Sequence, residues 1–421
     1  MKRVLMIAYH FPPLAGSSGV QRTLRLVQHL PRFGWQPLVL TVHPRAYERT
    51  DNELLAAIPP GTVVRRAFAL DTSRQLAIGG RYVGALARPD RWVSWRFGAV
   101  REGLRMIRDF QPELIWSTFP IATAHLIGAE LQRRSGLPWF ADFRDPMAQD
   151  GYPADPRVWK SYKAIEERAL QVASLNIFTT PGAAQHYRER YAALDPAVGQ
   201  RIAVLENGYD EQAVSQAATP SDTLTPLNAG ALTLLHSGIV YPAERDPAPL
   251  FEALGRLRRA GVLRPEAFRL RFRAAVHEDL LRELALRHDV EALVEIGPPV
   301  GYREALREML RADALLVLQG ASCNQQIPAK VYEYLRAGRP ILGLADPTGD
   351  TAAVLRAAGL GDAVALESAD AIAAALPRFL AQVRAGSAPL ADAQVVRAAS
   401  REARAETLAT WMDRAVTRSL N

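Results

Sequence analysis

Two side chains in residues 324–344 (NQQIPAKVYEYLRAGRPILGL) are of types suited to chemistry, Lys330 and Glu333. An ammonium can meet a phosphate, and a carboxylate can accept hydrogen bonds from a ribose diol. The polar loop ahead of them, ASCNQQ, leads to a helix start at Pro328, where backbone N–H groups attract anions. Gln325, Gln326 and Ile327 belong to that loop and would meet whatever the anion carries. Cys323 lies there too, but no histidine is close in sequence, so it reads as a small loop residue rather than a nucleophile.

Three other groups carry similar chemistry. Gly238 follows an apolar run beginning at Leu232, and Arg245 a few residues on has a guanidinium that can grip phosphate with two bonds. Gly16, Ser17, Ser18 and Gly19 form a flexible turn that lets backbone approach a ligand, and Arg22 and Arg25 follow it. Asp142-Phe143-Arg144-Asp145 hangs off the apolar run PWFA, where carboxylates could hold ligand hydroxyls. Each group has a plain alternative. Lys330, Glu333, Arg22 and Arg25 could be solvated helix charges, Arg245 could pair with Asp246, and the DFRD stretch could be a local Asp–Arg pair fixing its own loop.

The elements that must position these groups are strands and helices in alternation. Residues 314–318 (ALLVL) read as a buried parallel strand. The helix after Pro328 stops at Gly338, Pro340 forbids its continuation, and ILGLA begins the next strand. A polar loop at a strand's carboxyl end is where open α/β sheets bind ligands. Further strands are expected at residues 4–9, 37–42, 114–118, 138–141, 174–180 and 202–205, and again from 232, at 268–274 and at 293–297. Residues 44–95 read as irregular, and 211–230, rich in Ala, Thr, Ser and Pro, as a linker. The pattern argues for two doubly wound α/β domains, residues 1–210 and 231–397, with a closing helix over 398–421.

A chain of 421 residues suffices for two such cores. Its one cysteine precludes an intrachain disulfide and suits a reducing, cytoplasmic setting. The formal charge of +7 favours anionic partners. Zinc-ligand spacing and aromatic-interleaved basic repeats are missing from the sequence, so nucleic acid is not an expected partner. No apolar run approaches the ~20 residues of a membrane helix. A helix expected from about Ser94 places Phe97, Val100, Leu104 and Ile107 on one stripe, flanked by Arg101, Arg105 and Arg108 and preceded by Trp92 and Trp95. Its plain reading is a core helix with a basic edge; its sharper one is contact with the inner face of a membrane. His125 falls inside a helix and reads as structural.

The stretches HFPP with GSSG, DFRD, NGYD (207–210) and PAKVYEYLRAGRPIL together resemble the retaining glycosyltransferases of family four, which have the GT-B fold. The resemblance implies two Rossmann-like domains facing an interdomain cleft. It implies a nucleotide-sugar donor, a glycan or lipid-linked glycan acceptor in cell-surface polysaccharide synthesis, and no metal or other cofactor. Glu333 matches the family's ribose-binding carboxylate, while Gln325 stands where the family's first motif Glu would be. Lys330, Arg245, Gly238, Gly16, Gly19 and the Gln325–Gln326–Ile327 loop fall on the donor side. Asp142 and Asp145 become the catalytic candidates, and Arg22 and Arg144 lie on the acceptor side. The family's Arg after the glycine is missing here, because Ile239 follows Gly238. No Asp-x-Asp tripeptide occurs.

Other functions compete with this one. A GT-B nucleotide-sugar 2-epimerase or hydrolase would need acid–base groups that no motif supplies. A non-enzymatic partner of another transferase would explain Gln325 and Ile239. A dinucleotide redox enzyme wants GxGxxG after the first strand, and GSSGVQ does not provide it.

Overall fold

The computed structural model describes residues 1–16, 19–193, 195–218 and 225–419. Ser17 and Ser18 of the N-terminal turn lie outside them. The chain divides into two compact units, one made of Met1–Glu206 with the C-terminal helix Arg401–Ser419, the other of Asn207–Ser400.

The first unit holds a seven-stranded sheet. Its strands are β1 (Lys2–Ile7), β2 (Trp35–Val42), β3 (Val63–Ala67), β4 (Leu114–Thr118), β5 (Trp139–Arg144), β6 (Leu175–Phe178) and β7 (Ile202–Val204). All pair in parallel in the order β3-β2-β1-β4-β5-β6-β7. Strands covered by helices on both faces must be apolar on both, and β1, β2 and β4 are almost wholly buried. The order reverses between β1 and β4, so the carboxyl ends of those two strands flank a ligand crevice. The closing helix packs Ala405, Leu408, Ala409 and Met412 into the core beside Leu24, Val27 and Trp35.

β3 lies inside the stretch expected to be irregular. Its sequence VVRRA hides it, because Arg65 is exposed and Arg66 reaches back to backbone carbonyls. The helix Trp95–Phe110 also differs from the expected stripe. Its fully buried positions are Trp95, Ala99, Val100, Gly103 and Met106, whereas Phe97 is 77% exposed. Gly103 sets this rotation: a Cβ there would stand 2.6 Å from Leu131 Cδ1, so the helix approaches its neighbour along its small residues. Trp95 is sealed in the core, and Trp92 lies between Tyr9, with ring centroids 4.6 Å apart, and the Arg91 guanidinium. The two tryptophans therefore do not form an interfacial anchor.

The second unit holds β8 (Leu232–Ser237), β9 (Phe268–Arg273), β10 (Val294–Gly297), β11 (Ala314–Gln319) and β12 (Ile341–Ala345), parallel in the order β10-β9-β8-β11-β12. The reversal falls between β8 and β11, with Ala314 opposite Leu234. A helix, Glu211–Ala217, occupies part of the expected linker and is capped by Asp210, whose carboxylate accepts from the Gln212 and Ala213 amides. The helix Lys330–Ala337 ends where Gly338 adopts φ +65°, the left-handed C-cap that glycine favours.

Candidate functional site

In the second unit the residues at the reversal point make one basic cluster. His236 is the penultimate residue of β8, Gln319 ends β11, and Lys330 comes from the first turn of the next helix. Lys330 Nζ lies 3.0 Å from His236 Nε2, and His236 Nδ1 lies 3.0 Å from the Leu316 carbonyl. A protonated lysine donating to Nε2 requires a neutral imidazole whose Nδ1–H donates to that carbonyl. Burial, then Lys330, hold His236 well below its ordinary pKa, in agreement. Burial, then Arg245, likewise pull Lys330 well below the usual lysine range.

Arg245 completes the cluster. Its Nε donates to Gln319 Oε1 at 3.2 Å, an Nη donates to the Ile239 carbonyl at 3.0 Å, and its guanidinium stands 5.1 Å from the Tyr241 ring centre. Among the described residues no carboxylate forms a salt bridge with Lys330 or Arg245. Two neighbouring cations, each lowered in pKa chiefly by burial and offset only by the more distant carboxylates of Glu333 and Glu244, form a site whose electrostatics favour an incoming anion. Gly238 makes the cluster possible: its φ is +125°, and a Cβ would lie 2.9 Å from Lys330 Nζ.

Around this cluster the loop expected to hold the donor is placed as follows. Glu333 accepts a 2.8 Å bond from the Tyr302 hydroxyl at the start of the helix Tyr302–Arg311. Gln325 is exposed, and Gln326 uses its backbone for Cys323 and Thr351. Ile327 buries its side chain in the core with Val331 and Leu335, so only its backbone can face a ligand. Pro328 is not the first helical residue. It precedes the cap Ala329, and its carbonyl accepts from the Val331 amide, as that of Ala329 does from Tyr332. Tight bonds of this kind occupy amides that would otherwise have met an anion, leaving the charge of Lys330 to do so. Cys323 is buried and its thiol is pushed up by desolvation, in keeping with a packing role.

The first unit brings its candidates together differently. Asp142, fully buried, takes Arg22 Nε at 2.9 Å, Arg22 Nη2 at 2.7 Å and the Thr118 hydroxyl at 2.8 Å. Arg22 also donates to the carbonyls of Leu205 and Glu206. This fork ties the first helix to β4, β5 and the end of β7. Asp142, a catalytic candidate, and Arg22, a candidate on the acceptor side, are thus each engaged by the other. Asp145 is half-buried, with the Thr179 hydroxyl 3.5 Å away.

Arg144 remains under-satisfied. It adopts φ +62° at a register shift in β5, a conformation disfavoured for a side chain of its size. Its Nε has no hydrogen-bond partner, and its Nη1 reaches the Phe119 carbonyl only at 3.5 Å. Beside it stands His10, just past the end of β1, held near pKa 4 by burial and then by Arg144. Gly19 permits this meeting, since a Cβ there would lie 2.3 Å from His10 Nδ1 and 3.0 Å from Arg144 Nη1. Gly16 turns the chain with φ +76° and open space beside it. His125 is a core residue, bonded to Ser117 at 2.8 Å and held near pKa 4 by burial.

The sequence reading missed His10, His236, Gln319 and Tyr302. The two histidines had a signal: each lies at the carboxyl end of the first strand of its unit. Among the described residues no group of three or more His, Cys, Asp or Glu side chains is placed to hold a metal ion, and no helix is long and apolar enough to cross a membrane.

The family model for the glycosyl transferase 4-like domain matches residues 18–208. No curated protein sequence matches significantly. Among solved structures, the chain is similar to Anabaena Alr3699/HepE in complex with UDP and glucose, at 13% identity and TM-score 0.60, covering 100% of this chain and 99% of that one. It is similar to the N-terminal domain of Candida albicans trehalose-6-phosphate phosphatase, at 12% identity and TM-score 0.66, over 99% and 97% of the two chains. It is also similar to the apo lipopolysaccharide outer core galactosyltransferase WaaB, at 12% identity and TM-score 0.60, over 98% and 99%.

Proposed function

We propose that this chain, a GT-B glycosyltransferase with a glycosyl transferase 4-like N-terminal domain, takes its sugar from a nucleoside diphosphate donor bound at the second unit's basic cluster. The observation that carries the reading is the pair Lys330 and Arg245, adjacent to one another at the β8–β11 reversal without a carboxylate salt bridge. In this reading they meet the diphosphate, and Glu333 holds the ribose. Transfer breaks the bond from the anomeric carbon to the diphosphate, and the electron pair goes to the departing phosphate oxygen. Lys330 and Arg245 stabilise that charge where it develops, which is where electrostatic catalysis acts most strongly. The acceptor hydroxyl forms the new bond and its proton passes to the departing phosphate, so no protein nucleophile is required. Retention of configuration and independence of metal follow the family-four resemblance, with the two cations in the role a metal would otherwise fill. The acceptor is a glycan or lipid-linked glycan met by the first unit, with Arg144 among its contacts.

Titration calorimetry with UDP, GDP, ADP and dTDP, with and without EDTA, tests the donor site. UDP is the first to try, since the HepE structure holds it. Binding of one nucleoside diphosphate, unchanged by EDTA, supports the reading; binding that needs a divalent cation overturns the metal-free mechanism. Proton NMR of the product's anomeric centre decides retention, and incubation without acceptor would expose a 2-epimerase.

A further inference from the structure

The two cations of the second unit's cluster differ in a way that matters to an arriving anion. A guanidinium does not give up its proton inside a protein, whereas an ammonium can. Arg245 is held by two neutral oxygens, the Gln319 side-chain carbonyl at 3.2 Å and the Ile239 carbonyl at 3.0 Å. The Gln319 amide is fixed in turn, because its Nε2 donates to the Cys323 carbonyl at 3.1 Å. The charge of Arg245 is therefore permanent and fixed in place, and a proton gained or lost at its side belongs to Lys330 or His236.

The histidine is already committed. The Leu316 carbonyl can only accept, so Nδ1 carries the ring's proton and Nε2 presents a lone pair to Lys330 Nζ at 3.0 Å. A second proton on the ring would turn an N–H against the lysine and add a third positive charge. His236 faces Lys330 and Arg245, with the Leu316 and Ile239 backbone and the Phe272 ring as its neutral neighbours. Lys330 Nζ can donate to the Nε2 lone pair either as an ammonium or as an amine, so the contact holds in both states. The surrounding charges decide between them. Burial and then Arg245 oppose the ammonium, and Glu333, which accepts from the Tyr302 hydroxyl, supports it less. Glu244, Tyr241, Cys323 and Tyr334 face Arg245.

We propose that a nucleoside diphosphate enters this cluster together with one proton, which Lys330 Nζ takes from solvent as the phosphates arrive, while His236 Nε2 accepts from that nitrogen before and after. The inference rests on the donor reading and deepens it. Phosphate oxygens bring close to Lys330 the negative charge that Glu333 and Glu244 supply only from a distance, so the complex favours the ammonium. The new N–H bond forms on the lysine's lone pair, and the proton comes from water or a buffer acid. It stays on Nζ during transfer and leaves when the nucleotide does. His236 is thus a positioning residue, holding the nitrogen in place in both states. The complex binds more protons than its separate components, so affinity falls as pH rises between the free and the bound lysine's titration. The lower edge of that window lies well below the ordinary lysine value of 10.5.

The test is titration calorimetry of the full chain with UDP, or whichever of the four diphosphates binds, at about pH 7.5 to 9.5 in pairs of buffers that differ in ionisation enthalpy. In that range the terminal phosphate, with its last pKa about 6, is fully ionised and contributes no proton. The expected result is uptake approaching one proton per nucleotide, with a Kd that rises up to about tenfold per pH unit. Lys330→Met should bind more weakly and take up none. His236→Gln keeps an acceptor for Nζ and removes the imidazole as a proton site, so its uptake should match the wild type. Wild-type binding without uptake across the range, uptake that persists in Lys330→Met, or uptake lost in His236→Gln would overturn the inference and leave the donor reading standing. If Lys330→Met binds too weakly to titrate, the wild type and His236→Gln still decide. Failure of the wild type to bind any of the four would remove the donor reading, and this inference with it.

Discussion

Replacing Lys330 with Met separates a residue kept for a ligand from one kept for the fold. Lys330 bonds a neutral histidine, and burial and the nearby Arg245 disfavour its charge more than Glu333 supports it. An apolar side chain of similar length removes an unfavourable charge there, so the ligand-free midpoint should hold or rise. Binding should respond in the opposite direction. A nucleoside diphosphate at 100 times its Kd stabilises the wild type by about 2.7 kcal/mol. For a unit of 194 residues, Asn207–Ser400, that corresponds to roughly 5–11 °C. Deleting one member of a desolvated, hydrogen-bonded charge pair costs about 2–5 kcal/mol. The variant's Kd therefore rises at least about 30-fold, and at the same ligand concentration the stabilisation falls to about 0.9 kcal/mol or less, a shift of at most ~4 °C. Differential scanning fluorimetry with and without nucleotide reads both numbers. A variant that keeps the full ligand-induced shift, or that loses several degrees without ligand, would refute the reasoning, because Lys330 would then be structural.

Glu333→Ala should raise KM for the donor about 10–100-fold with a smaller change in kcat, and a 2′-deoxy donor should lose little further with the variant; equal losses in both enzymes would remove Glu333 from the ribose. Arg22→Ala should destabilise the first unit by about 3–5 kcal/mol in urea unfolding by stranding Asp142, and Arg22→Met with Asp142→Leu should recover much of it. An unaltered Arg22→Ala stability curve would contradict the buried fork. His125 protonates less readily folded, with a pKa of about 4, than unfolded, at the ordinary histidine value of 6.5. The unfolded chain thus binds more protons across that window, and stability falls as pH drops through it. The loss reaches about 3 kcal/mol at pH 4, so His125→Gln should flatten the acid limb of the first unit's midpoint against pH.

Runs such as VLMI, ALLVL and ILGLA are apolar on both faces, and only a covered parallel strand uses such a run economically, so the alternating plan showed in one dimension. Gly338 with Pro340, and Glu333 three residues after Lys330, are local patterns that carry their meaning without neighbours. β3 did not show, because an edge strand tolerates Arg65 and Arg66. The offset of the helix Trp95–Phe110 did not show either, because it depends on Leu131 filling the space above Gly103.

The chemistry of the two sites was decided in three dimensions. The residue types on offer, the two-unit plan and the strand ends that must carry ligands followed from the sequence alone, through periodicity and turn chemistry. Which carboxylate is free, which arginine is spent and which histidine is neutral depend on groups far apart in the chain: Arg22 with Asp142, Lys330 with His236, Arg144 with His10. A side chain's charge and availability are set by what desolvates and pairs it, and those partners meet only when the sheets order their strands.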